Sequence, residues 1–216
     1  AGMRAAVGAI ELVRIKGDEL SLKVIGDAAP VGLCGSGVLD VVAQLYLAGV
    51  CDNRGRLREE HSRVRLINEK RAFVLADEEA SGSGAAIVFT QDDIRNLQLA
   101  KAAIRAATDI LLDECGYTEA DLGKVVIAGA FGNYIDVASA LAIGMLPDLP
   151  FNRFAQVGNA AGDGARFTLQ SKAQRQLAVD IAARAQYFEL ASAPTFMKVF
   201  GKRMNFTETT NIKNKD

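Results

Sequence analysis

Residues 124–136 read KVVIAGAFGNYID. The β-branched run from Val125 to Ile127 predicts a buried strand. Gly129 and Gly132 follow at its exit, and the helix-like segment YIDVASALAIG comes next. A strand that leaves through two glycines has two readings. Bare α-carbons let a helix pack closely on the strand. They also let the main chain touch a ligand at a helix N-terminus, where unpaired N–H groups and a partial positive charge favour phosphate or a nucleotide sugar.

Two further junctions have this form. Residues 32–37 (GLCGSG) enter a helix predicted to bury Val38, Val41, Val42 and Leu45 and to stop near Gly49. Residues 158–164 (GNAAGDG) follow a short strand and open another helix. Around them, residues 8–26 predict two strands about a turn at Gly17-Asp18, with Leu20, Leu22 and Val24 alternating. Residues 52–63 are a polar loop, and short strands are expected near 64–66, 73–75 and 85–89. Thr90 with Asp93 is a capping-box variant that starts a long helix to about Cys115. Its expected apolar face is Ile94, Leu97, Lys101, Ile104, Thr108 and Leu111. A last strand and a helix begun near Pro194 close the chain, and residues 207–216 are expected to be a polar, mobile tail. The class is α/β, with a mixed sheet, hairpin strands and flanking helices. If the three glycine junctions share one sheet edge, they form a cleft beyond the strand ends.

Composition narrows the partners. The chain has 216 residues, half of them hydrophobic, and a net charge of −1. That balance, with few aromatics and no Trp, argues against nucleic acid or an anionic membrane as the main partner. No apolar run reaches the ~18 residues of a membrane span. Cys34, Cys51 and Cys115 are scattered and form no C-x-x-C, which predicts a reducing, cytoplasmic setting; Cys34 is expected to be a small buried residue. His61, the sole histidine, is expected at the surface, and no metal site is expected. P-loop and Rossmann fingerprints are absent.

The stretch VVIAGAFGNYID resembles the adenosine motif of the superfamily of actin, heat-shock ATPases, and acetate and sugar kinases. A longer resemblance is carried by five ordered blocks: GMRAAVGAIE, GLCGSGVLD, DIRNLQLAKAAIRAA, AGAFGNYIDVASALAIGMLP and VGNAAGDGA. From Gly2 to about Phe206 the chain resembles the C-terminal part of the ATP-dependent reductive activators of corrinoid proteins. The resemblance implies an actin-like (ribonuclease H-like) ATPase lobe over residues 1–206. It implies ATP with Mg²⁺, and a 2Fe–2S cluster in an N-terminal ferredoxin-like domain. It further implies a homodimer, and a corrinoid methyl-carrier protein as partner, reduced from cobalt(II) to cobalt(I).

The chain departs from that pattern by omission. It begins AGMRAAVG without Met and has neither a cysteine cluster nor the Asp-x-Gly-Thr phosphate strands. It is therefore expected to be a carboxy-terminal piece that carries an adenosine half-site and does not hydrolyse ATP alone. The expected contacts are Gly129, Ala130, Phe131, Gly132 and Asn133 on one side, Gly35, Ser36 and Gly37 opposite, and Gly158 and Asn159 on the far side. Phe131 either covers the adenine or belongs to the core. Asn133 either caps the following helix or bonds the ribose, and Ser36 either touches the nucleotide or caps its helix. Asp163 either bonds the ribose or is an exposed turn residue. Two other functions fit the same residues: a sugar or acyl-phosphate kinase, and a non-enzymatic docking or dimerisation lobe with structural glycines.

Overall fold

The computed structural model describes residues 2–129, 132 and 134–206. The readings of Ala130, Phe131, Asn133 and the 207–216 tail lie outside them. Strands β1 (Ala9–Lys16) and β2 (Glu19–Val24) form the expected hairpin, with Val13 opposite Leu22 and Ile15 opposite Leu20. The short β3 (Gly32–Leu33) runs parallel to β1, giving a mixed sheet in the order β2-β1-β3. Helix α1 (Gly35–Leu47) lies on this sheet and buries Val41, Val42 and Leu45. Gly37 permits that approach, because a Cβ there would stand 2.1 Å from the Ile10 carbonyl oxygen.

A second sheet is antiparallel: β4 (Val64–Ile67), β5 (Lys70–Ala76) and β6 (Ile87–Thr90). Thr90 then starts α2 (Gln91–Glu114) through the expected capping box. Its hydroxyl accepts from the Asp93 N–H at 3.2 Å, and the Asp93 carboxylate accepts from the Thr90 N–H at 2.8 Å. One hydrophobic cluster joins both sheets and α1, α2 and α3 (Val137–Ala142), with Ile10, Leu39, Phe73, Ile94 and Ile143 near its centre.

A buried polar knot ties three elements together. The Asp40 carboxylate on α1 accepts from the Val13 N–H, the Arg14 guanidinium and the Ser139 hydroxyl. Arg14 reaches on to Asp136 at 3.1 Å, and Asp136 caps α3 by accepting from the Ala138 and Ser139 amides. Asp40, at 2 % exposure, is a buried charge satisfied by an opposite charge and two further donors, as burial requires.

The third sheet is two parallel strands, β7 (Val125–Ala128) and β8 (Phe154–Gly158), followed by α4 (Ala160–Gln170), α5 (Lys172–Arg184) and α6 (Phe196–Arg203).

Four expectations are corrected. Strand β7 is not buried: Val126 is 57 % exposed, because β7 pairs with β8 alone among the described strands. The last strand is a 3₁₀ turn at Leu190–Ser192. His61 is not a surface residue; its ring packs 5.5 Å from Phe73, and Nδ1 accepts from the Arg63 N–H. The buried face of α2 holds Ile94, Gln98, Lys101, Ala102, Arg105 and Ala106, whereas Ile104 and Leu111 are exposed.

The polar members of that face clasp the C-terminal segment. Gln98 donates to the carbonyls of Arg54 and Met204, Lys101 donates to the Asn205 carbonyl at 2.6 Å, and the Phe206 N–H donates to the Asn53 carbonyl at 2.8 Å. The Lys101 ammonium also lies 5.4 Å from the centre of the Phe206 ring. No carboxylate among the described residues pairs with it. Burial, then the charges of Arg203 and Arg105, push its pKa down to about 8.

Candidate functional site

The chain enters α1 through Cys34, the N-cap residue, in extended conformation. Cys34 is buried, as expected; its N–H donates to the Ile10 carbonyl at 3.1 Å, and its thiol lies 3.3 Å from that oxygen and 3.2 Å from the Ser36 hydroxyl. Ser36 is therefore not the cap, and no side chain caps α1. The first-turn amides of Gly35 and Ser36 have no side-chain acceptor from a cap. This helix end opens onto a cavity of about 710 Å³, lined on this side by Cys34, Gly35 and Ser36. That volume lies within the usual range for small-molecule sites.

The other walls come from three places. Met3, Arg4 and Ala5 form one side. The tight turn at Ile25–Asp27 forms another, with φ +78° at Gly26 and +50° at Asp27. Glu11 and Lys23 stand across the hairpin from each other and pair at 2.8 Å; that hydrogen bond and charge raise the Lys23 pKa. Tyr134 closes the cavity, one residue beyond the predicted 129–133 contact stretch. Of the described residues after β7, Tyr134 lines this cavity, whereas Gly129 and Gly132 do not.

The glycines divide by role. Gly129 has φ +99°, a conformation other residues rarely adopt, and a Cβ there would meet nothing within 4 Å. Its surface is open. Gly132 is buried, and its Cβ would fall 2.8 Å from Ile127 Cγ2, so it lets the turn fold back on β7. Gly37, likewise, faces β1 and does not line the cavity. Gly158 adjoins the turn, accepting from the Gly129 N–H at 2.7 Å. Asn159 caps α4 by accepting from the Gly162 N–H at 3.1 Å, and neither Gly158 nor Asn159 lines this cavity. Asp163 sits in the first turn of α4 beside Arg166, at 3.4 Å.

Sequence reasoning missed Arg4, Lys23, Tyr134 and Gln156. Gln156 on β8 donates to the carbonyls of Gly132 and Ile135 and so holds the glycine turn in place. The available signal was its position, a polar residue in a strand whose neighbours are apolar. Among the described residues, no group of three or more His, Cys, Asp or Glu side chains is arranged to hold a metal ion. Neither Mg²⁺ nor an iron–sulfur cluster is assigned to residues here. No described helix is long and apolar enough to cross a membrane.

The mixed sheet, the glycine turn after β7 and the helix-flanked strands define an actin-like α/β fold. A solved structure titled "Reductive activator for corrinoid,iron-sulfur protein" superposes with TM-score 0.87 at 38% identity, over 94% of this chain and 33% of that one. The family described as "C-terminal domain of RACo the ASKHA domain" matches residues 1–215, and the chain belongs to that family. Among curated relatives, the "Corrinoid activation enzyme RamQ" of Eubacterium limosum is 36% identical over 220 residues, 98% of this chain and 37% of the relative. The "[Co(II) methylated amine-specific corrinoid protein] reductase" of Methanosarcina barkeri is 27% identical over 168 residues, 77% of this chain and 27% of the relative. The chain spans about a third of the length of these relatives.

Proposed function

We propose that this chain is the nucleotide-binding lobe of an ATP-driven reductive activator of a corrinoid protein, working within a longer polypeptide. The observation that carries the reading is the uncapped helix end at Gly35 and Ser36, which opens onto one cavity with Tyr134, two residues beyond Gly132. Gly129 offers bare backbone to adenosine, and the α1 amides face the sugar or phosphates. Ala130, Phe131 and Asn133 are assigned to the same contact by their place in the sequence motif. Gly132 and Gly37 set the approach from behind. Gly158 and Asn159 support the turn from the adjoining strand.

Mg²⁺ and the groups gripping the phosphates are assigned to the rest of the longer protein, as is the 2Fe–2S electron source. The names of the relatives support a corrinoid protein as partner. ATP acts through unequal affinity for the open and closed states of the lobe. One electron passes from the cluster to cobalt(II), yielding cobalt(I). A homodimer in the cytoplasm is the expected assembly.

The test is reduction of a cobalt(II) corrinoid methyl-carrier by the longer protein, followed by the cobalt(I) absorbance. Reduction is expected to require both ATP and an electron donor. Reduction at the same rate without ATP contradicts the reading, as does ATP-dependent phosphorylation of a sugar or small acid.

A further inference from the structure

A second groove lies against the first two turns of α2, and none of its residues lines the nucleotide cavity. Its volume is about 510 Å³. It carries five cations, Arg54, Arg56, Lys70, Arg71 and Arg95, against two carboxylates, Glu69 and Asp92, which leaves +3 on a chain of net charge −1. Two of the cations are neutralised: Lys70 pairs with Asp92 at 2.5 Å, and Arg71 pairs with Glu59. Arg54, Arg56 and Arg95 are exposed and pair with no carboxylate among the described residues.

The two arginines of the 52–57 loop are displayed on a fixed backbone. Gln91 donates to the Gly55 carbonyl at 2.6 Å and accepts from the Leu57 N–H at 3.0 Å. The buried Gln98 donates to the Arg54 carbonyl at 3.1 Å. The Asp52 carboxylate accepts from the Arg54 and Arg56 amides, both at 2.9 Å. Gly55, at φ +77°, lets the loop close on Gln98, since a Cβ there would come within 2.8 Å of that side chain. A backbone already fixed removes the cost of ordering the loop when its guanidinium groups meet a carboxylate partner.

We propose that this groove is a docking site for an acidic protein segment, whose carboxylates pair with Arg54, Arg56 and Arg95. The charge pattern favours protein over a polyanion. Glu69 and Asp92 line the groove, and Glu59 and Glu60 line the hollow that adjoins it through Arg56 and Arg71. A duplex holds its phosphates at fixed spacing and would meet those carboxylates, whereas a flexible acidic peptide can seat its side chains on the three arginines and turn the rest to water. The inference does not depend on the nucleotide reading.

The test titrates hexaglutamate into the ¹⁵N-labelled chain and follows the arginine Nε–H signals, with hexalysine, inorganic phosphate and a short DNA duplex in parallel. Hexaglutamate is expected to shift the Arg54, Arg56 and Arg95 signals saturably and to bind more weakly as salt rises. The combined Arg54→Gln, Arg56→Gln and Arg95→Gln variant is expected to lose about tenfold in affinity, and Glu69→Gln to gain about twofold. The proposal is overturned if hexaglutamate leaves those signals unmoved, or if the combined variant binds as before. Tighter binding of phosphate, duplex or hexalysine at these residues overturns it as well. An ATP titration that fails leaves this result standing, so the two readings fail separately.

Discussion

The half of the chain built on β1–β6, α1 and α2 differs sharply from the half built on β7, β8, α4 and α5. In the first, strands and helices close on a shared core, and Phe73 and Val42 are fully buried. In the second, no residue of α4 or α5 is buried, and Leu169, at 79 % exposure, and Leu177, Val179 and Ile181 face solvent. Both halves have well-formed local structure: Thr90 caps α2, Asn159 caps α4 and Ser171 caps α5. Capping needs only neighbours in sequence, whereas burial needs a partner surface. About two-thirds of each relative's length lies outside the region that this chain matches.

The widest contrast is tested by truncation in each half. Phe73→Ala is expected to lower stability by about 3–5 kcal/mol, read from urea denaturation. Leu177→Ala, at a residue 47 % exposed, is expected to stay within about 0.5 kcal/mol in this chain. A comparable loss at both positions would break the contrast. In the longer protein the Leu177→Ala loss is expected to exceed that small value.

A smaller effect is expected at the close contact of α1 with β1. Gly37→Ala drives a Cβ into the Ile10 carbonyl and is expected to lose about 1–3 kcal/mol by the same measurement. Gly164→Ala in α4, whose Cβ meets nothing, is expected to change stability little.

The C-terminal clasp gives a pH signature. Lys101 titrates at about 8 in the folded chain, against 10.5 for a free lysine. Between those values the unfolded chain holds a proton that the folded chain has released, so stability rises with pH. Cys51 works in the opposite sense from pH 9 upward, because burial raises its pKa from 9.0 to about 12 and only the unfolded thiol ionises. The Lys101 slope is therefore clearest between pH 8 and 9. Lys101→Met is expected to flatten it, and an unchanged slope would place the clasp's charge elsewhere.

Much of this architecture was legible in sequence because its signals are local. The Gly17 hairpin, the Thr90–Asp93 box and the stop at Gly49 each lie within a few residues of the element they shape. The exposure of β7 was not legible, since an apolar run reports what a strand can bury and not what is there to bury it. The buried face of α2 was misread for a related reason. Gln98 and Arg105 count as polar in any periodicity, yet both are buried, Gln98 against distant carbonyls and Arg105 between Asp109 and Glu119; Lys101 alone of these buried polar members is expected on that face from the sequence. At the candidate site the glycines were legible, but their division between packing and open backbone was not. Only the distance from each missing Cβ to its neighbours separates Gly37 and Gly132 from Gly129.

The central claim is that the helix end at Gly35 and the turn at Gly129 receive one nucleoside. An ADP titration of the ¹⁵N-labelled chain tests it most directly. The account predicts saturable shifts of the Gly35, Ser36 and Gly129 amides together, with Gly129→Val abolishing the Gly35 and Ser36 shifts. Shifts confined to other residues, or none up to millimolar ADP, would contradict it.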